Sequence, residues 1–127
     1  MKKVLLLLLL LVNSVMAEVH YRDLFDAYDD AAAENKRVMI MISQVGCRAC
    51  VFMEDEVFND KEVANYLNKH YIVVHIDKHK DSVPNNLEYF ATPTFFFMDD
   101  TEKVIKRVTG GRHRDDFLKL LKEMRKK

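Results

Sequence analysis

The chain of 127 residues has no tryptophan, three glycines, two prolines and two cysteines, and its 20 basic side chains balance 20 acidic ones. A formal charge of zero argues against nucleic acid as the main partner. Two cysteines alone do not complete a zinc site, which needs further ligands. The apolar run from Val4 to Val12 is nine residues long, well short of the roughly 20 that cross a bilayer. No repeat, low-complexity linker or second-domain boundary interrupts the sequence.

Residues 1–17 carry the pattern of a secretory signal: basic Met1-Lys2-Lys3, the apolar core, then Val15-Met16-Ala17 as a small-residue cleavage site. No cysteine lies near that site, which argues against a lipoprotein anchor. Cleavage after Ala17 removes two lysines and leaves residues 18–127 at a formal charge of −2, enough chain for one domain and one core. The basic C-terminal residues Lys122, Arg125, Lys126 and Lys127 read as a solvated helix end.

The two cysteines sit together as Cys47-Arg48-Ala49-Cys50. The apolar run Val38–Ser43 before them predicts a buried strand, and Val51–Phe58 after them predicts a helix with Met53, Val57 and Phe58 on one face. Cys47 is thereby placed near a helix N-terminus, with Cys50 about one turn inside. The unpaired N–H groups of a helix start favour a thiolate. An ordinary thiol of pKa about 8.5 is only ~3% ionised at pH 7, and lowering it to about 6.5 takes ~2.7 kcal/mol. A helix terminus supplies about 0.3–2 kcal/mol of that, so Arg48 or local hydrogen bonds are expected to add the rest. Export implies an oxidising compartment, where the pair can be a structural disulfide. So short a loop restrains little of an unfolded chain, however, and suits a redox switch better than a staple.

Helical spacing over Tyr21–Asn35 points Tyr21, Leu24, Phe25, Tyr28, Ala31 and Ala32 inward. Gly46 frees the backbone just ahead of Cys47. Asp60 caps a helix over Lys61–Lys69, Tyr71–Asp77 is a second strand, and Pro84–Phe90 reads as a short helix. Thr94–Met98 and Lys103–Val108 form a hairpin, and a terminal helix buries Phe117, Leu118, Leu120, Leu121 and Met124. Strands separated by helices and closed by a hairpin imply an α/β fold, a central mixed sheet with helices on both faces.

The Cys47–Cys50 motif after the first strand, with Thr92-Pro93-Thr94 entering a later apolar strand, resembles the thioredoxin family over nearly all of residues 21–125. Asn35-Lys36-Arg37-Val38, Cys50-Val51-Phe52-Met53-Glu54 and Val57-Phe58-Asn59-Asp60 are similar to small exported thioredoxins and to the C-terminal domain of the disulfide reductase DsbD. The resemblance implies a thioredoxin-like domain over 18–127 that acts as a periplasmic thiol:disulfide oxidoreductase, reducing disulfides in exported proteins as a monomer. Its catalytic pair would be Cys47 and Cys50, a redox-active disulfide needing no organic cofactor. Thr92, a cis Pro93, Gly46 and Arg48 would meet the substrate, and a membrane donor of the DsbD or CcdA type would supply electrons. Two departures stand out. Gly46 replaces the tryptophan usual before the first cysteine, and Met41 replaces a buried acid. Glu54, four residues after Cys50 and hence on the same helical face, is the expected substitute for that acid. His75 and His79 are the candidate metal partners, but one lies in a strand and the other in a loop, so no metal is expected. The competing readings are a non-catalytic binding module that keeps the fold, and an oxidant or isomerase.

Overall fold

The computed structural model describes residues 17–126; the predicted signal core and cleavage-site residues up to Met16 lie outside them. Helix α1, Leu24–Glu34, starts where Asp23 accepts the Phe25 N–H at 2.9 Å, and it ends at Asn35 with φ 54°. Strand β1, Arg37–Ser43, follows. Then come α2, Arg48–Phe52, continued by a single π turn, Met53–Val57, and α3, Lys61–His70. Strand β2 is Tyr71–Asp77, β3 is Thr94–Met98, β4 is Val104–Thr109, and α4 is Arg114–Lys126.

The sheet order is β2-β1-β3-β4, with β1 parallel to β2 and antiparallel to β3. Strand alternation sorts the core into two layers. Val38, Ile40 and Ile42 face α1, whereas Met39 and Met41 face α2, α3 and α4 together with both cysteines. The sheet is therefore mixed and flanked by helices on both faces.

Three elements depart from expectation. Tyr21 does not open α1: it forms a parallel bridge with Val73, and the Arg22 N–H bonds the Val73 carbonyl at 2.8 Å, so the N-terminal segment lies along β2. Phe25 points outward at 89% exposure, because α1 sits on the sheet through Ala27 and Ala31, flanked by Leu24 and Tyr28. That stripe runs i, i+3, i+4, i+7, and Phe25 falls off it. Finally, Pro84–Phe90 is a turn and loop, not a helix: the Leu87 N–H bonds the Pro84 carbonyl at 3.0 Å, and only Leu87 among its apolar side chains is fully buried, with Tyr89 packed half-buried against the same cluster. One buried side chain gives a short helix too little to pack.

The π turn explains why Met53, Val57 and Phe58 are all buried. The Phe58 N–H reaches the Met53 carbonyl at 2.8 Å, an i+5 bond. The wider turn brings both Val57 and Phe58 round to the core side.

Candidate active site at the start of the redox helix

Cys47 is the N-cap of α2, in extended conformation at φ −85°, ψ 106°. Gly46 ahead of it has φ +80° with open space around it, so the tight approach to the helix needs glycine's backbone, not a missing side chain. The Cys50 N–H donates to Cys47 Sγ at 3.2 Å, satisfying one of the orphan donors of the helix start with sulfur. The two cysteines stand at disulfide distance with their Cα atoms 5.3 Å apart. Cys47 is 9% exposed and Cys50 2%, so both belong to the core cluster, with Cys47 the nearer of the two to solvent.

Gly46, Arg48 and Ala49 are exposed around Cys47, as are Val45 and Val51. The rim is thus apolar with one cation. Register Ile42↔Thr94 sets the start of β3 beside the end of β1, so buried Pro93 and half-buried Thr92 share the sheet end from which the cysteine loop departs. The Thr92–Pro93 peptide bond is cis, and the Pro93 carbonyl accepts the Gly110 N–H at 2.8 Å. The β4–α4 connection closes over the redox helix, with the Arg112 N–H 3.3 Å from Met53 Sδ.

Met41 is fully buried in the cluster that holds Cys47, Cys50, Met53 and Phe95, so no acid lies at that position. Glu54 instead turns to His75 on β2: Oε1 lies 2.6 Å from Nε2, and Ser43 Oγ lies 2.9 Å from the same nitrogen. The Tyr21 ring packs edge-on to His75 at 5.6 Å. Burial, and then the Glu54 and Glu18 carboxylates, push the Tyr21 phenol up to about 12. The structure thus places His75 on a carboxylate and a hydroxyl, while His79 is exposed in the loop after β2 with its N–H on Asp77 Oδ1. Ser43 and His75 were not singled out for this role in the sequence. The signal was there: a histidine interrupts the apolar run of β2, directly across from Met41.

A family model for a thioredoxin-like domain matches residues 24–125. The chain belongs to the thioredoxin-like family. Solved structures agree on the fold. A putative disulphide-isomerase from Bacteroides thetaiotaomicron superposes with a TM-score of 0.73 at 23% identity, covering 87% of this chain and 96% of the other. The DsbH oxidoreductase gives 0.72 at 16% identity over 91% and 90%. The oxidised C-terminal domain of Neisseria meningitidis DsbD gives 0.63 at 17% over 83% and 98%. Identities this low establish the fold alone. Among curated proteins, spermatogenesis-associated protein 20 of Mus musculus is 34% identical over 53 residues, which are 42% of this chain but 7% of that protein's length. A thioredoxin-like fold with its cysteine pair at disulfide distance is the framework of a thiol–disulfide oxidoreductase.

Proposed function

We propose that this thioredoxin-like chain reduces disulfides in exported proteins, working in the periplasm after a signal over residues 1–17 is removed. The observation that carries the reading is the asymmetry of the pair: Cys47 caps the helix and keeps 9% of its surface exposed, and Cys50, three residues on, keeps 2%. Cys47 thiolate attacks a sulfur of the substrate disulfide and forms a mixed disulfide; the displaced substrate sulfur leaves as a thiolate. Cys50 then attacks Cys47 Sγ, the internal disulfide forms, and the second substrate sulfur leaves. The exposed Gly46 and Arg48 flank the attack path. Thr92 offers its backbone to an extended substrate segment beside Pro93. Glu54 serves the ionisation of Cys50. A membrane donor of the DsbD or CcdA type returns the electrons, and the protein works as a monomer without cofactor or metal.

Insulin reduction by dithiothreitol tests this. Wild type accelerates it and Cys47→Ser does not; equal, uncatalysed rates would leave a binding module instead. The reduction potential of the pair then sets direction. A value near −270 mV marks a reductant, and one near −120 mV an oxidant.

A further inference from the structure

Resolution of the mixed disulfide needs Cys50 as a thiolate, yet Cys50 is packed among apolar side chains that oppose a bare charge. A polar seam crosses the same face of the sheet. Glu54 stands four residues after Cys50, in the π turn that continues α2, and its carboxylate meets His75 Nε2, which also meets Ser43 Oγ. At 2.6 Å a proton must stand between Oε1 and Nε2, because two lone pairs do not face each other at that distance. The Ser43 hydroxyl suits either owner of that proton: it accepts from Nε2–H or donates to bare Nε2.

We propose that His75, steadied by Ser43, is a positioning residue for thiol–disulfide exchange: it holds Glu54 as the carboxylate that takes the Cys50 proton. The inference rests on the exchange chemistry proposed above. One water, bridging Cys50 to Glu54 across the junction of α2 with the π turn, completes the path. The Cys50 S–H gives its proton through that water to Glu54. The thiolate attacks Cys47 Sγ, the Cys47–Cys50 bond forms, the bond from Cys47 to the substrate breaks, and the substrate sulfur leaves with the electron pair. A cleft of about 260 Å³, bordered by Glu18, Tyr21, Glu54, Asp55 and His75, then passes the proton on to solvent. The charged and titratable groups around His75 are these, together with Asp77 two residues along β2, whose Oδ1 is taken by the His79 N–H.

Stopped-flow mixing of the reduced full-length protein with a chromogenic aromatic disulfide separates the steps. The first coloured thiolate released reports attack by Cys47, and the second reports resolution by Cys50. His75→Leu is expected to leave the first phase within about twofold and to slow the second about tenfold at pH 7, a fraction of what a general base contributes. Its second phase then climbs steadily with pH, without the wild-type plateau. His75→Gln keeps an N–H toward Glu54 and is expected to recover the second phase to within about threefold. An unchanged second phase and pH profile in His75→Leu would overturn the proposal, as would equal slowing of both phases, which marks a merely structural role. Loss of the first phase in wild type would instead sink the exchange reading itself.

Discussion

Asp60 ties the end of the redox helix to two other elements, and its replacement can be priced from its contacts. Oδ1 accepts the Glu62 and Val63 N–H groups at 3.0 and 3.1 Å, capping α3, while Oδ2 accepts Arg114 Nε at 2.8 Å, reaching the start of α4. Loss of an N-cap oxygen costs about 1 kcal/mol, within 0.5–2. The ion pair is partly exposed, 40% on Arg114 and 27% on Asp60, so it is worth about 0–1 kcal/mol. Asp60→Ala should therefore lose about 1–3 kcal/mol in urea unfolding at pH 7 with an unchanged m-value. Asp60→Asn keeps a capping oxygen and should lose about 1 kcal/mol or less. The acid limb gives a second check. Burial pushes the Asp60 carboxyl up, but the Arg114 guanidinium and the Val63 and Glu62 N–H groups outweigh it and hold the carboxyl below its usual value. A group depressed in the folded state stabilises fully above its unfolded pKa, about 3.9, and loses that contribution as pH falls through its folded value. The gap between wild type and Asp60→Asn should accordingly close in acid. An Asn variant as unstable as the Ala variant, or a gap indifferent to acid, would refute the reasoning.

The two glycines after β4 should respond oppositely. Gly110→Ala forces a side chain onto φ +89° and should cost about 1–2 kcal/mol, whereas a Cβ at Gly111 meets Met53 Sδ at 3.6 Å, ordinary contact, so Gly111→Ala should unfold within about 0.5 kcal/mol of wild type. Phe117 is fully buried with ring centroids 5.1 Å from Phe95 and 5.6 Å from Phe58; Phe117→Ala should lose about 3–5 kcal/mol in denaturant unfolding. The difference ultraviolet titration between wild type and Tyr21→Phe should show no phenol ionising until about pH 12. Because that phenol is raised above its unfolded value of about 10, its contribution to stability should be complete below pH 10 and vanish as pH climbs through the folded value.

The redox pair, β1, β3 and the capping role of Asp60 were legible because each rests on neighbours in sequence: an apolar run, a two-residue spacing, an acid before a helix. Phe25 and Pro84–Phe90 were misread because their fate depends on what the sheet leaves uncovered. Two alanines let α1 come close to the sheet, and the loop after β2 fully buries Leu87 alone, with Val83 and Tyr89 half-buried beside it. Glu54 is marked in the sequence by its four-residue separation from Cys50. Its partner His75 lies 21 residues away and is brought to it by the parallel pairing of β1 with β2, which no local pattern announces.

The i+5 bond between Met53 and Phe58 amounts to one residue inserted into an otherwise ordinary helix. Each residue advances a helix by about 100°, so the turn bearing the sulfurs and the end anchored in the core run out of phase with each other. Grafting this cysteine motif onto an uninterrupted helix, or trimming one residue from 53–57, would keep every side chain of the motif and still swing the sulfurs away from the sheet end where Pro93 waits.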